Sequence, residues 1–347
     1  MRSDGDGSSP EIGRVLEGRY RLDAPIGEGG LGVVWRGFHL RLGKPVAIKL
    51  MLPEHLGREN LLARFEREAK SLAALSHPNI VDVIDFGIDE GAPFLVMELL
   101  EGRPLDRAIE QGIGPDRALA IGRDVLRALG HAHALGIVHR DLKPANVFLQ
   151  RISDGSEIVR VLDFGLAKFL EQDGREGQPQ LTRAGTVLGT PAYMAPEQAM
   201  GGNADARADV YSFGLLLFEL ITGRRPFEGE GGELIRQHLL VPMPPIGSVR
   251  PDLEVAPELE SVLQRATAKS PAGRHASANE LLQDISALPL PALRARPGMS
   301  APSTREDPRD EATSAGGRDA VAAAARPITG HEPTQIPSET QPARPST

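Results

Sequence analysis

The chain changes its hydrophobic rhythm near residue 100. Before that point apolar residues come in short alternating runs, which predict strands at Tyr20 to Ile26, Val33 to His39, Val46 to Leu50, Val81 to Gly87 and Pro93 to Met97. Between the third and fourth, Leu61, Leu62, Phe65, Leu72 and Leu75 recur at roughly helical spacing, so one helix is expected over Glu59 to Leu75, ending before His77-Pro78. Beyond Leu100 the helical period dominates. Asp116 to Leu135 carries one apolar stripe, and Ala208 to Thr222 is apolar nearly all round, as a central buried helix would be. Further helices are expected at Leu234 to Leu240 and Glu258 to Lys269, and Ser277 with Glu280 forms a capping-box signature opening a last one to about Leu288. One strand pattern interrupts the helices: VFLQRISDGSEIVRVLDFG alternates on both sides of the Asp154-Gly155 turn signal, which predicts a hairpin.

The expected fold is therefore α+β and bilobal. A small lobe, 15–100, holds a five-stranded antiparallel sheet and one helix, and a larger, mainly helical lobe covers 101–288. Residues 1–14 are too polar to bury, and 289–347 are dominated by Pro, Ala, Thr and Arg, so both ends are expected to be disordered.

Composition narrows the chemistry. The chain has 347 residues with 40% hydrophobic and 25% charged, an ordinary globular balance. It has no cysteine, which excludes disulfides and thiolate metal sites and suits a reducing, cytoplasmic setting. A net charge of −8, without a basic cluster interleaved with aromatics, argues against nucleic acid as a partner. No apolar run reaches the roughly 18 residues of a spanning helix, and the polar start MRSDGDGSSP is unlike a signal peptide.

HRDLKPANVF, His139 to Phe148, packs an acid, two bases and an amide between a helix pattern and a strand pattern, which packing alone explains poorly. The hairpin brings Asn146, just before its first strand, to the same end as Asp163, just after its second. Asp141 can accept a proton, and Asn146 and Asp163 offer hard oxygens of the kind Mg²⁺ prefers when phosphates complete its shell. GEGGLGVV, Gly27 to Val34, has the spacing G-x-G-x-x-G-x-V. Such glycines are often mere turns, but Val33-Val34-Trp35 demands a strand after them, not a dinucleotide-binding helix. Glycines at a hairpin tip let backbone N–H groups approach phosphates. In VAIK, Ala47 and Lys49 project opposite Val46 and Ile48. Glu68, three residues after Phe65 and four before Leu72, lies on or beside the inward helix face, where a carboxylate needs a cation. Lys49 is the candidate partner; Glu66 points away from that stripe. His131 and His133, two apart on a helix, cannot face one ion together.

GEGGLGVV, VAIK, HRDLKPAN, DFG (Asp163 to Gly165) and APE (Ala195 to Glu197), with SHPNIV, GTPAYMAPEQ and DVYSFG, resemble the protein kinase superfamily in order and spacing over about residues 20 to 287. The pattern looks like that of bacterial eukaryotic-like serine/threonine kinases. The resemblance implies a bilobal kinase fold, an ATP:protein phosphotransferase activity on Ser/Thr hydroxyls, and ATP with Mg²⁺. It implies that Gly27, Glu28, Gly29, Gly30, Leu31 and Gly32 cover ATP, that Lys49 holds the α/β-phosphates, and that Glu68 positions Lys49. Asn146 and Asp163 would bind Mg²⁺, Asp141 would orient and deprotonate the substrate hydroxyl, and Lys143 would neutralise the transferred phosphoryl group. Val34, Ala47 and Phe148 would sandwich adenine, with Met97 as gatekeeper and Glu98 to Leu100 as hinge. Lys143 and Thr190 would contact Asp141, as in the Ser/Thr branch; Glu197 would pair with Arg274, Asp209 would brace the catalytic loop, and His139 is structural. Arg140 before Asp141 marks kinases ordered by activation-loop phosphorylation, which points to Thr182 and then Thr186 as autophosphorylation sites. Similar kinases commonly pair through the small lobe, so a homodimer is admitted. The alternative readings are a pseudokinase-type ATP-binding scaffold, disfavoured by the presence of Lys49, Asp141 and Asp163, and a small-molecule phosphotransferase, disfavoured by Ala195-Pro196-Glu197.

Overall fold

The computed structural model of the chain describes residues 11–29, 32–51, 61–164 and 191–296. Its first part is a six-stranded antiparallel sheet built from β1 (Val15–Leu16), β2 (Tyr20–Gly29), β3 (Gly32–His39), β4 (Lys44–Met51), β5 (Val83–Asp89) and β6 (Ala92–Glu98), in the order β1-β2-β3-β4-β6-β5. Five of these are the expected strands. The sixth, β1, is only two residues long and pairs Val15 with Arg21 and Leu16 with Tyr20, too short a run for alternation to reveal. The alternation in β4 sorts its side chains onto two faces. Val46 and Ile48 join Leu16, Tyr20, Leu22, Trp35, Phe94 and Val96 in a cluster on the outer face. Ala47 and Met51 face the main core with Phe65, Ala69 and Leu72 of α1 (Leu61–Ala73), whose i, i+4, i+7 spacing makes one buried stripe.

The second part is helical. α2 (Leu105–Glu110) follows β7 (Gly102–Pro104) directly, α3 (Pro115–Ala134) starts on a proline at its first turn, and β8 (Val147–Arg151) pairs with β9 (Glu157–Val161) as the predicted hairpin. β7 extends that hairpin to three strands. Then come α4 (Pro196–Ala199), α5 (Ala206–Thr222), α6 (Gly231–Leu240), α7 (Ile246–Val249), β10 (Leu253–Val255), α8 (Pro257–Ala266), α9 (Ala278–Ser286) and β11 (Leu293–Ala295). α5 is the hub, buried almost without interruption from Ala208 to Thr222. Asp205 caps it by accepting the Arg207 N–H at 2.8 Å, and Gly223 ends it at φ 72°. The predicted helices at Leu234, Glu258 and Ser277 are α6, α8 and α9; β7 and α2 were missed because three and six residues carry too little period.

The lobes are stitched behind the cleft. Asn79 to Val81, after α1, lies against β9: the Val161 N–H donates to the Asn79 carbonyl at 2.8 Å, the Val81 N–H to the Val161 carbonyl at 3.1 Å, and the Asn79 amide to the Val159 carbonyl at 3.0 Å. Both ends of the domain reach further than polarity suggested. Arg14, assigned by sequence to the arm, pairs with Asp89 at 2.7 Å. β11, assigned to the tail, pairs with β10, with Ala292 and Leu293 buried and the Arg296 N–H donating to the Asp252 carbonyl at 2.7 Å. Backbone pairing and two apolar side chains are enough to hold a polar segment, and composition averages them away.

Candidate functional site

The catalytic-loop sequence is shaped from below by one carboxylate. Asp209, in α5 and fully buried, accepts the His139 N–H at 2.7 Å, the Arg140 N–H at 2.8 Å and His133 Nε2 at 2.8 Å. Burial alone would push its carboxyl up, but the His133 hydrogen bond and charge, with the backbone donors, hold it below the usual carboxylate range. These bonds keep Arg140 at φ 67°, a left-handed conformation that costs a non-glycine residue about 1–3 kcal/mol. The strained residue turns the chain so that Asp141 faces the cleft. His139, buried beneath it, accepts the Asp141 N–H on Nδ1 at 3.3 Å and bonds the Leu162 carbonyl through Nε2 at 2.9 Å, so its tautomer carries the proton on Nε2.

Asp141 Oδ2 is held by the Lys143 ammonium at 2.8 Å and the Asn146 amide at 3.1 Å; the same amide nitrogen bonds the Asp141 carbonyl at 2.8 Å. The Asp141 side chain remains 43% exposed, so a carboxylate fixed at one oxygen offers the cleft its other. The Leu162 N–H donates to the Asn146 carbonyl at 2.8 Å, which sets Asp163 beside Asn146 at one end of the hairpin. Asp163 itself sits at φ 57°. Its Oδ1 accepts the Lys49 ammonium at 2.9 Å. Burial would raise the Asp163 carboxyl, but Lys49, with His139 and Lys143 further off, brings it below its usual range.

That pairing corrects one expectation. Lys49 meets Asp163, not Glu68, whose cation among the described residues is its neighbour Arg67 at 3.4 Å. The inward placement of Glu68 holds, since Glu66 is exposed and Glu68 only half-buried, but the buried Lys49 finds its counter-charge in Asp163, itself half-buried. Phe148 also differs: fully buried in the same core as Ala47, Met97 and Leu100, it presents no exposed face of its own. Ala47 and Met97 are direct partners on β4 and β6, and Val34 lies opposite Lys49 on β3, so these side chains line one inner face. Gly27, Glu28 and Gly29 pair with Val34, Val33 and Gly32. Gly32 has a steric reason of its own: a Cβ there would lie 2.1 Å from the Leu50 carbonyl oxygen. Gly30, Leu31, Gly165, Thr182, Thr186 and Thr190 lie outside the described residues.

The donor set fits a hard divalent ion completed by phosphate. The Asn146 amide nitrogen is engaged with Asp141, which turns its oxygen away from that loop, and Asp163 holds Lys49 through Oδ1 alone. Among the described residues no cluster of three or more His, Cys, Asp or Glu could cage a metal, so an ion here draws the rest of its shell from elsewhere, as Mg²⁺ with substrate phosphates does. His131 belongs to no such cluster; it stacks on His77 at 5.2 Å.

Support comes from the far side of the site. Glu197 of α4 forms a bidentate pair with Arg274, at 2.7 and 2.8 Å, with the guanidinium fully enclosed against the Tyr211 ring. Sequence inspection missed Gln198. Its amide donates to the Arg140 carbonyl at 2.9 Å and ties α4 to the catalytic loop, a link with no sequence signal beyond its place after Ala195-Pro196-Glu197.

Residues 20–285 match the protein kinase domain model. The chain belongs to the protein kinase family. Its kinase domain is of the bacterial serine/threonine type. It is 41% identical over 281 residues to the serine/threonine-protein kinase pkn3 of Myxococcus xanthus, covering 80% of this chain and 51% of that protein. It is 41% identical over 276 residues to the serine/threonine-protein kinase PknL of Mycobacterium tuberculosis, covering 79% and 66%. The crystal structure of the Mycobacterium tuberculosis PknI kinase domain superposes with a TM-score of 0.62 at 27% identity, over 80% of this chain and 99% of that one. The chain thus spans about half the length of the first of these relatives. Among the described residues no helix is long and apolar enough to cross a membrane.

Proposed function

We propose that the kinase domain transfers the γ-phosphoryl group of ATP to Ser or Thr hydroxyls of polypeptide substrates, and first to its own Thr182 and then Thr186. The observation that carries this reading is the single loop that holds Asp141 by Lys143 and Asn146, while Asp163, beside Asn146 at the end of the hairpin, holds Lys49 of the small lobe. Bound Mg²⁺ would neutralise phosphate charge and would be held by Asn146 and Asp163. Lys49 exchanges Asp163 for the phosphates, and Glu68 then becomes its carboxylate partner. Asp141, fixed by Lys143, accepts the hydroxyl proton of the substrate; Lys143 stays beside the transferred oxygens. The inner face of Val34, Ala47, Met97 and Leu100 takes adenine, with backbone groups of Glu98 to Leu100 available for its edge. The cysteine-free composition supports work in the cytoplasm.

The test is incorporation of label from γ-labelled ATP and Mg²⁺ into the full chain and a generic basic protein, beside Asp141→Asn. The expected result is acid-stable, base-labile label with wild type alone, mapping to Thr182 or Thr186 in the chain itself. Equal label with Asp141→Asn, or ATP binding without any transfer, would replace this reading with that of an ATP-binding scaffold. Sedimentation of the full chain tests the small-lobe homodimer; a monomer at micromolar concentration sets it aside.

A further inference from the structure

α5 ends at Gly223, and the turn after it is pinned by Thr222: its hydroxyl accepts the Arg224 N–H at 3.1 Å and shares its one proton between the Phe218 carbonyl at 2.8 Å and the Arg224 carbonyl at 2.9 Å. Pro226 stiffens the next position. This rigid turn holds two consecutive exposed arginines, Arg224 and Arg225, at the rim of an open cavity of about 400 Å³ between α5, α6 and α7. Gln237 and Ser248 line the same cavity, with the Gln237 amide donating to the Glu228 carbonyl at 2.6 Å and the Ser248 hydroxyl to the Pro245 carbonyl at 2.6 Å.

Among the described residues no direct salt bridge offsets the charge of this pair. Other arginines of this lobe are neutralised locally: Arg207 by Asp205, Arg236 by Glu233, Arg250 by Asp252 and Arg265 by Glu280. Arg224 and Arg225 form no ion pair among the described residues. Among the residues that line the cavity, Glu228 is the one anion beside the two cations. Two adjacent guanidiniums carried on a stiff turn are suited to a carboxylate or phosphate, which accept paired N–H donors.

The position says where such an anion would come from. Arg225 lies within electrostatic reach of Glu219 and Tyr193, and the Tyr193 hydroxyl donates to Glu219. Tyr193 stands three residues after Thr190, in the segment that leads from the activation region into Ala195-Pro196-Glu197. The cavity therefore adjoins the large-lobe surface on which a polypeptide substrate would lie. We infer that the Arg224 and Arg225 cavity is a specificity subsite that receives an acidic side chain, carboxylate or phosphate, of the polypeptide substrate, at a fixed distance from the phosphoacceptor hydroxyl. This rests on the protein kinase reading above and names a substrate class for it.

The experiment uses the full chain and peptides with one central Thr, in which each flanking position in turn carries Gln, Glu or phosphoserine. One position should show about a tenfold or larger gain in kcat/KM for Glu over Gln, carried by KM, with phosphoserine stronger still, as charge-assisted hydrogen bonds predict. Arg224→Ala with Arg225→Ala should erase that gain while leaving the Gln peptide within about twofold. Arg224→Glu with Arg225→Glu should turn the preference toward Lys at the same position. Arg224→Ala alone, which leaves Arg225 beside Glu219, guards against a packing effect and should remove part of the gain. A flat profile with good turnover, or an acidic preference that survives both double variants, overturns the subsite and leaves the kinase reading standing. Equal preference for Glu and phosphoserine would assign the site to acidic sequences, and a phosphoserine-only gain would assign it to previously phosphorylated substrates; each supports the subsite. No transfer to any peptide overturns the kinase reading and the subsite with it.

Discussion

Replacing Asp209 by asparagine keeps the side-chain volume and removes one acceptor oxygen from a place that needs two. Asp209 Oδ2 takes the His139 N–H and His133 Nε2, and Oδ1 takes the Arg140 N–H. Whichever way the new amide turns, at least one buried donor faces its NH₂ group. A buried donor left unsatisfied costs about 1–3 kcal/mol, and the loss of charge-assisted bonds adds to it, so ~3 kcal/mol is expected overall. That is a large part of the ~5–15 kcal/mol available to a typical domain and corresponds to a melting temperature lower by roughly 6–12 °C. The damage to activity should exceed the damage to stability. Arg140 relaxes from its left-handed backbone once its N–H is released, and Asp141 moves with it; a displacement of ~1 Å is enough to lower kcat by about 100-fold. KM for ATP should change less than kcat, because neither Lys49 nor Asp163 bonds Asp209 directly. Urea unfolding combined with steady-state phosphoryl transfer to a generic substrate measures both. A variant within about 1 °C and twofold in kcat of wild type would refute the claim that Asp209 shapes the loop.

Glu68→Gln should change the stability of the nucleotide-free chain by less than ~0.5 kcal/mol, since among the described residues Glu68 pairs with Arg67 at the surface, yet lower kcat with Mg-ATP by an order of magnitude or more; equal effects on both would show that a Lys49–Glu68 pair already exists without nucleotide. Glu197→Ala strands the enclosed Arg274 guanidinium and should cost about 3–5 kcal/mol in urea titrations, whereas Glu197→Ala with Arg274→Met should recover much of it; a single variant as stable as wild type contradicts the pairing. His238 is fully buried, and burial lowers its pKa to about 4, with Lys269 nearby acting in the same direction. Its folded pKa lies below the unfolded value, so the stability it contributes is complete above pH ~6.5 and declines as pH falls toward about 4, by ~3 kcal/mol at most. His238→Gln should flatten that part of the pH–stability curve; an unchanged slope would place the acid sensitivity elsewhere.

The local rules of the chain settled a good deal without any tertiary information. Period two against period 3.6 divided the small lobe from the large one, because strands and helices bury alternate and every third-or-fourth residue. Alternation in Val46 to Lys49 assigned faces correctly, since a pleated strand leaves no other choice. The Asp154-Gly155 turn put Asn146 and Asp163 at one end of a hairpin, because antiparallel pairing fixes which residues are neighbours. Spacing of Phe65 and Leu72 placed Glu68 inward but could not say what it meets. That choice is a competition between carboxylates far apart in the chain, decided by which of them the fold brings within reach of Lys49, and Asp163 takes it. Tertiary structure alone likewise decided that Asp209, fully buried and about 70 residues from the loop it braces, would reach it, that Gln198 would tie α4 to Arg140, and that β11 would fold back onto β10. Each is a contact between segments distant in sequence, made by backbone groups or single polar atoms, and such contacts leave no periodic trace in the residues that form them.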